Sequence, residues 1–166
     1  MIHFVTDNYL KNKMPITRNV ASHDIVVFVE QSGLSFVQPI LGRYFYNYLL
    51  TKYNAQTLTA DETILVEKMQ PAIGWRATYD CVIALTYQLK NKGLQKQNGD
   101  NSESVELTEA QFVGAHYVQK AELYENELRK YLRKNKDLFA EYTSDENNDC
   151  EDAPNNDNNF NDIIFL

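Results

Sequence analysis

Two short stretches, Thr59-Ala60-Asp61-Glu62 and Thr108-Glu109-Ala110-Gln111, limit what this chain can fold into more than any other feature. Each has the form of a capping box: the threonine hydroxyl accepts from the N–H three residues on, and the Glu or Gln there reaches back. Each opens a long run of apolar residues at helical spacing. After the first come Ile64, Leu65, Lys68 and Met69, then Pro71, then Ile73, Trp75, Ala77, Tyr79, Val82, Ile83, Leu85, Thr86 and Leu89. The period resumes beyond Pro71, so the proline is read as a kink and not a stop. Lys90 and Lys92 suit the negative end of a helix dipole, and Gly93 closes it. After the second box the stripe is Phe112, Val113, His116, Tyr117, Ala121, Tyr124, Leu128, Tyr131 and Leu132. Acids lie early and bases late along it, as a helix macrodipole prefers. The expected fold is therefore all-α: a small helical bundle with two long helices, about 59–92 with a kink at Pro71 and about 108–136.

Shorter helices precede these. Thr6-Asp7-Asn8 caps a segment that Pro15 stops, and Ser22-His23-Asp24 opens another. The second contains Ile25-Val26-Val27 and Val29, β-branched residues that leave helix and strand both open for residues 24–36. Leu41, Tyr44, Phe45, Tyr48 and Leu49 mark an amphipathic helix ending near Lys52-Tyr53-Asn54, where Asn can take a left-handed cap. Leu94 to Val105 reads as a long polar loop.

The formal charge of −7 is unevenly placed. Seven of the 23 acids lie between Thr143 and Leu166, where there is no Lys or Arg, and the remaining sixteen match sixteen bases in residues 1–142. The division expected is a charge-balanced helical domain, 1–142, and an acidic Asn/Asp-rich extended tail, 143–166. A balanced body lacks the electrostatic footprint of a protein that wraps nucleic acid. His3, Thr6, Asp7 and Asn8 interrupt any signal-peptide core, and no apolar run reaches bilayer length. Cys81 and Cys150 are too few for a disulfide scaffold, which suits a soluble product of a reducing cytoplasm.

No catalytic, cofactor or metal residues stand out. His3, His23 and His116 are scattered, His116 suits a packed or boundary position, and Asp24 beside His23 fits helix-start chemistry better than a dyad. No glycine-rich phosphate loop or nucleophile elbow occurs. Two other features point to partners. Tyr44, Phe45, Tyr46 and Tyr48 cover more than one helix face, which marks Tyr44, Tyr46 and Tyr48 as a candidate interface between copies of the chain. The tail ends on Phe160 and Ile163-Ile164-Phe165-Leu166, an apolar hook on a polar tether, suited to pocket insertion or strand addition on a partner. The basic stretch Arg129 to Lys136 suits a solvated helix end; the alternative is a small nucleic-acid-associated regulatory or packaging module.

Several segments together resemble the small helical head–tail connector (adaptor) proteins of tailed bacteriophages, of the kind found in phages of Bacteroides-type hosts. They are Phe4-Val5-Thr6-Asp7-Asn8-Tyr9-Leu10-Lys11, Val37-Gln38-Pro39-Ile40-Leu41-Gly42-Arg43-Tyr44-Phe45, Leu58 to Glu62 leading into Met69-Gln70-Pro71-Ala72-Ile73, Lys90-Asn91-Lys92-Gly93-Leu94, Ala121-Glu122-Leu123-Tyr124, and Tyr131-Leu132-Arg133-Lys134-Asn135. The resemblance spans roughly Ile2 to Tyr142 and omits the tail. It implies a non-enzymatic structural virion protein, made in the host bacterial cytoplasm and placed at the portal vertex or neck. Such a protein forms a homo-oligomeric ring, a dodecamer in the family. The ring joins the portal protein to downstream neck and tail rings and surrounds passing genomic DNA without sequence-specific binding, membrane or cofactor. A balanced channel wall suits that role, because a basic lumen would grip phosphates.

Overall fold

The computed structural model describes residues 3–90, 93–96, 107–148 and 153–155. The first capping box closes as its sequence requires. The Thr59 N–H donates to Glu62 Oε2 at 2.7 Å, and the Glu62 N–H donates to Thr59 Oγ1 at 3.3 Å. Helix α5 (Ala60–Thr86) grows from it and carries Pro71 in its interior. It pairs with α6 (Leu107–Lys134), and this long helix pair is the backbone of an all-α bundle.

Short helices cover the rest of α5. Helix α1 (Asp7–Lys13) is capped by Thr6, whose hydroxyl accepts from the Tyr9 N–H. Residues 24–36 are helical: α2 (Ser22–Ser32) continues into a π-helical turn, Gly33–Val37. Ile25, Val29 and Ser32 are buried at three- and four-residue spacing, and that one-sided burial outweighs the β-branched preference for strand. Helix α3 (Gln38–Leu41) turns at Gly42 into α4 (Arg43–Ala55), which ends on Gln56 in the left-handed conformation, two residues beyond the expected Asn54.

Two further boundaries differ from the sequence expectation. Helix α5 stops at Thr86, not near Lys92, and the chain turns into an antiparallel hairpin, β1 (Tyr87–Lys90) with β2 (Gly93–Lys96), in the register Lys90↔Gly93 and Tyr87↔Lys96. The Asn and Gly that punctuate a helix end also mark a tight hairpin, and local sequence does not separate the two. The hairpin takes the first part of the expected loop; residues 97–106 lie outside the described residues. The packed body also runs past Tyr142: α7 (Asp145–Asn148) lies against α4, and the Asn155 N–H donates to the Pro39 carbonyl at 2.7 Å.

Buried side chains from α1 to α6 share one core, with Phe4, Leu10, Ile25, Ile40, Phe45, Leu65, Met69, Leu128 and Phe139 among the most enclosed. Cys81 sits in it, and burial together with Asp80 and Asp24 pushes its thiol up to about 12, as befits a small hydrophobe.

Candidate interaction surface

Helix α4 holds the three tyrosines expected at a ring interface, and the structure separates them. Tyr46 is 5% exposed. Its ring meets Phe4 edge-on at 5.2 Å, and its hydroxyl occupies the space that a side chain at Gly33 would need. Burial, with help from Glu30, pushes that hydroxyl up to about 12. Tyr46 is thus a core residue and is struck from the interface. Tyr48 is half-buried, stacked on Phe45 at 6.2 Å with the Lys52 ammonium 5.0 Å from its ring. Tyr44 remains open to solvent at 43%. The crowding has a simple source: Phe45 alone gathers Tyr48, Phe139 and Tyr142 around it. Residues after α6 thus cover a face of α4 that would otherwise be free.

That cover is fastened by Asn147, whose role the sequence does not advertise. Gly42 has φ +83° and offers α4 no side-chain cap. Asn147 supplies one from across the chain: its Oδ1 accepts from the Phe45 N–H at 3.1 Å, and its Nδ2 donates to the Leu41 and Tyr142 carbonyls at 2.9 and 3.0 Å. The carboxamide is fully buried and lies where a Cβ on Gly42 would stand. The Asn155 bond to Pro39 lies beyond it, so the hook residues Phe160, Ile163, Ile164, Phe165 and Leu166 follow from an anchor beside α3. They themselves lie outside the described residues.

The long helix pair is sealed by small residues on α6. Ala110, Gly114, Ala121, Leu128 and Leu132 are buried, and the Tyr79 ring of α5 packs so closely on Gly114 that a Cβ there would come within 2.8 Å. Lys68 lies over Tyr131 at 5.0 Å, and Trp75 meets Tyr117 at 5.4 Å. Arg76 is clamped between an aromatic and a carboxylate. Its guanidinium stacks 4.0 Å from the Phe36 ring while Nε and Nη2 donate to Glu125 at 2.7 and 3.2 Å. Such a buried bidentate pair fixes the register of α5 on α6.

The outer side of α6 is the opposite case. Phe112 is 80% exposed and Leu123 57%, with Val113 and Tyr124 also open. A second open patch lies on α2 and the π turn, where Val26, Val27 and Leu34 face solvent. The apolar period sets Phe112 on the packed stripe, but it lies across the helix from the buried Ala110, Gly114 and Ala121 and so faces out.

His23 Nε2 lies 3.0 Å from Asp24 Oδ1 at the start of α2, and His116 is exposed. Of the basic stretch, Arg129 turns inward, where burial lowers its pKa against the pull of Glu125. Lys130 pairs with Glu127 at 3.3 Å, and Arg133, Lys134 and Lys136 are exposed. No three His, Cys, Asp or Glu side chains converge as a metal site among the described residues. No single helix among them is long and apolar enough to cross a membrane.

Fold and surface together define a small all-α bundle built on one long helix pair, with open apolar patches on two of its helices. The chain belongs to the family of unknown function DUF6712, which it matches over residues 37–152. No curated protein and no solved structure matches it.

Proposed function

We propose that this protein is a structural ring component of a virion neck, a head-to-tail connector that docks beneath a portal and links it to neck or tail proteins around the DNA channel. The observation that carries the reading is the pair of open apolar patches, on α2 and α6, among the described residues. Large apolar side chains grouped on an open face mark a protein contact, and two distinct patches on one chain suit a repeated neighbour. The connector resemblance of the sequence supports the same role. The hook Phe160–Leu166 is proposed to engage a neighbouring protein from its anchor at Pro39.

Mixing the protein with its portal and weighing the product by native mass spectrometry or imaging it by electron microscopy tests this reading. A ring bound to the portal is expected. A chain that stays monomeric and ignores the portal contradicts it. Removing Phe160 to Leu166 is expected to weaken portal or neck docking while leaving helix content and Tm unchanged; unaltered docking would refute the hook.

A further inference from the structure

We infer that α2 of one copy packs antiparallel on α6 of the next, joining copies of this chain head to tail. The inference rests on the ring reading and deepens it by naming the two faces that meet.

The outer line of α6 is Phe112, His116, Gln119 and Leu123, all exposed, at positions i, i+4, i+7 and i+11. The outer line of α2 and the π turn is His23, Val27, Glu30 and Leu34, all exposed, at the same four spacings. This is the spacing of a helix-packing seam. Laid antiparallel, the two lines have one register in which every position meets a counterpart. Leu34 meets Phe112, Glu30 meets His116, Val27 meets Gln119, and His23 meets Leu123. The largest exposed apolar side chain thereby gains an apolar cover. The Glu30 carboxylate gains an imidazole N–H. A parallel arrangement sets Val27 against His116 and Glu30 against Gln119, which leaves both charge partners unmatched. Complementarity of this kind selects register and direction more than it adds affinity.

The two lines also lie where a head-to-tail contact needs them. Lys68, Trp75 and Tyr79 of α5 face α6, whereas Ile73 and Gly74, on the other side of α5, approach Gly33 at the end of α2 and Met14. Helices α2 and α6 therefore flank α5, each with its outer line turned away from it. A contact between two different faces is heterologous, and such contacts close into rings when the rotation allows.

The experiment uses two full-length variants, Phe112→Asp and Leu34→Asp, both at exposed positions. Each is expected to keep the wild-type circular dichroism spectrum and to run alone at the monomer mass of 19.3 kDa. Mixed in equal amounts they are expected to form a one-to-one pair and nothing larger, because Phe112→Asp keeps its α2 face and Leu34→Asp keeps its α6 face. Variants that assemble like wild type would overturn the inference while leaving the ring reading intact. Two monomers that fail to pair on mixing would overturn it as well. A wild-type chain that is itself monomeric, alone and with portal, would overturn both. Register is read separately. Glu30→Lys or His116→Glu alone is expected to weaken assembly roughly tenfold, and the two together to restore it. A double variant no better than either single one would exclude the antiparallel register.

Discussion

Helices α4 and α6 both carry more large apolar side chain than one buried face requires, and they place it in opposite ways. On α4 the surplus is covered from within the chain: Phe4 and Gly33 receive Tyr46, and Phe139, Tyr142 and Asn147 close over Phe45. On α6 the inner face is small enough to let α5 come close, and the bulky Phe112 and Leu123 stand outside. An aromatic count thus identifies neither an interface nor a core. What decides is whether the same chain supplies something to lie on the face.

Five measurements would break or sharpen this contrast. The largest effect belongs to Phe45→Ala, which empties a site ringed by three aromatics and is expected to cost about 3–5 kcal/mol in urea unfolding. A loss below about 1 kcal/mol would mean that the C-terminal cover is not a packed part of the body. Next, Asn147→Ala strands the Phe45 N–H and two carbonyls in the interior, for an expected loss of about 2–4 kcal/mol. Gly42→Ala is expected to do comparable damage, since a Cβ there would meet the Asn147 carboxamide and φ is +83°.

A smaller effect is expected at the α4–α5 corner. Burial pushes the Glu62 carboxyl up, but the Lys52 ammonium at 2.7 Å, with the Thr59 N–H and hydroxyl, outweighs it and leaves the group below its ordinary value of 4.5. Because the folded pKa lies below the unfolded one, the stabilisation is complete above about pH 4.5 and is lost as pH falls through the folded value. Glu62→Gln is expected to flatten the acid limb of a stability–pH curve; an unchanged limb would remove Glu62 from the account. Smallest of all, Phe112→Ala is expected to shift unfolding by no more than about 0.5 kcal/mol, because the side chain is largely exposed. Loss of stability there would mean that α6 has no free outer face.

The long helices were legible because their signals are local: an apolar period and a charge gradient act within a turn or two, and on α5 a capping box adds to them. Thr59 and Glu62 made the predicted bonds. Asn147 was illegible because it bonds residues 102 and 106 positions away, while its neighbours in sequence are the Asn, Asp and Glu of a solvated tail. Tyr46 was misplaced for a related reason: its room is made by the absent side chain of Gly33, which no spacing within α4 reveals. The hairpin at Tyr87 escaped because Asn and Gly end helices and turn strands alike. The outer line of α6 was within reach of a helical wheel, once the small residues were taken as the inner face.

The most direct test of the contrast is the mass of the full chain in solution, at high concentration and with portal present, beside that of Phe112→Asp. The account predicts a wild-type species at a multiple of 19.3 kDa and a folded variant at 19.3 kDa. A wild-type protein that stays at 19.3 kDa under both conditions, or a variant that assembles as wild type does, would contradict it.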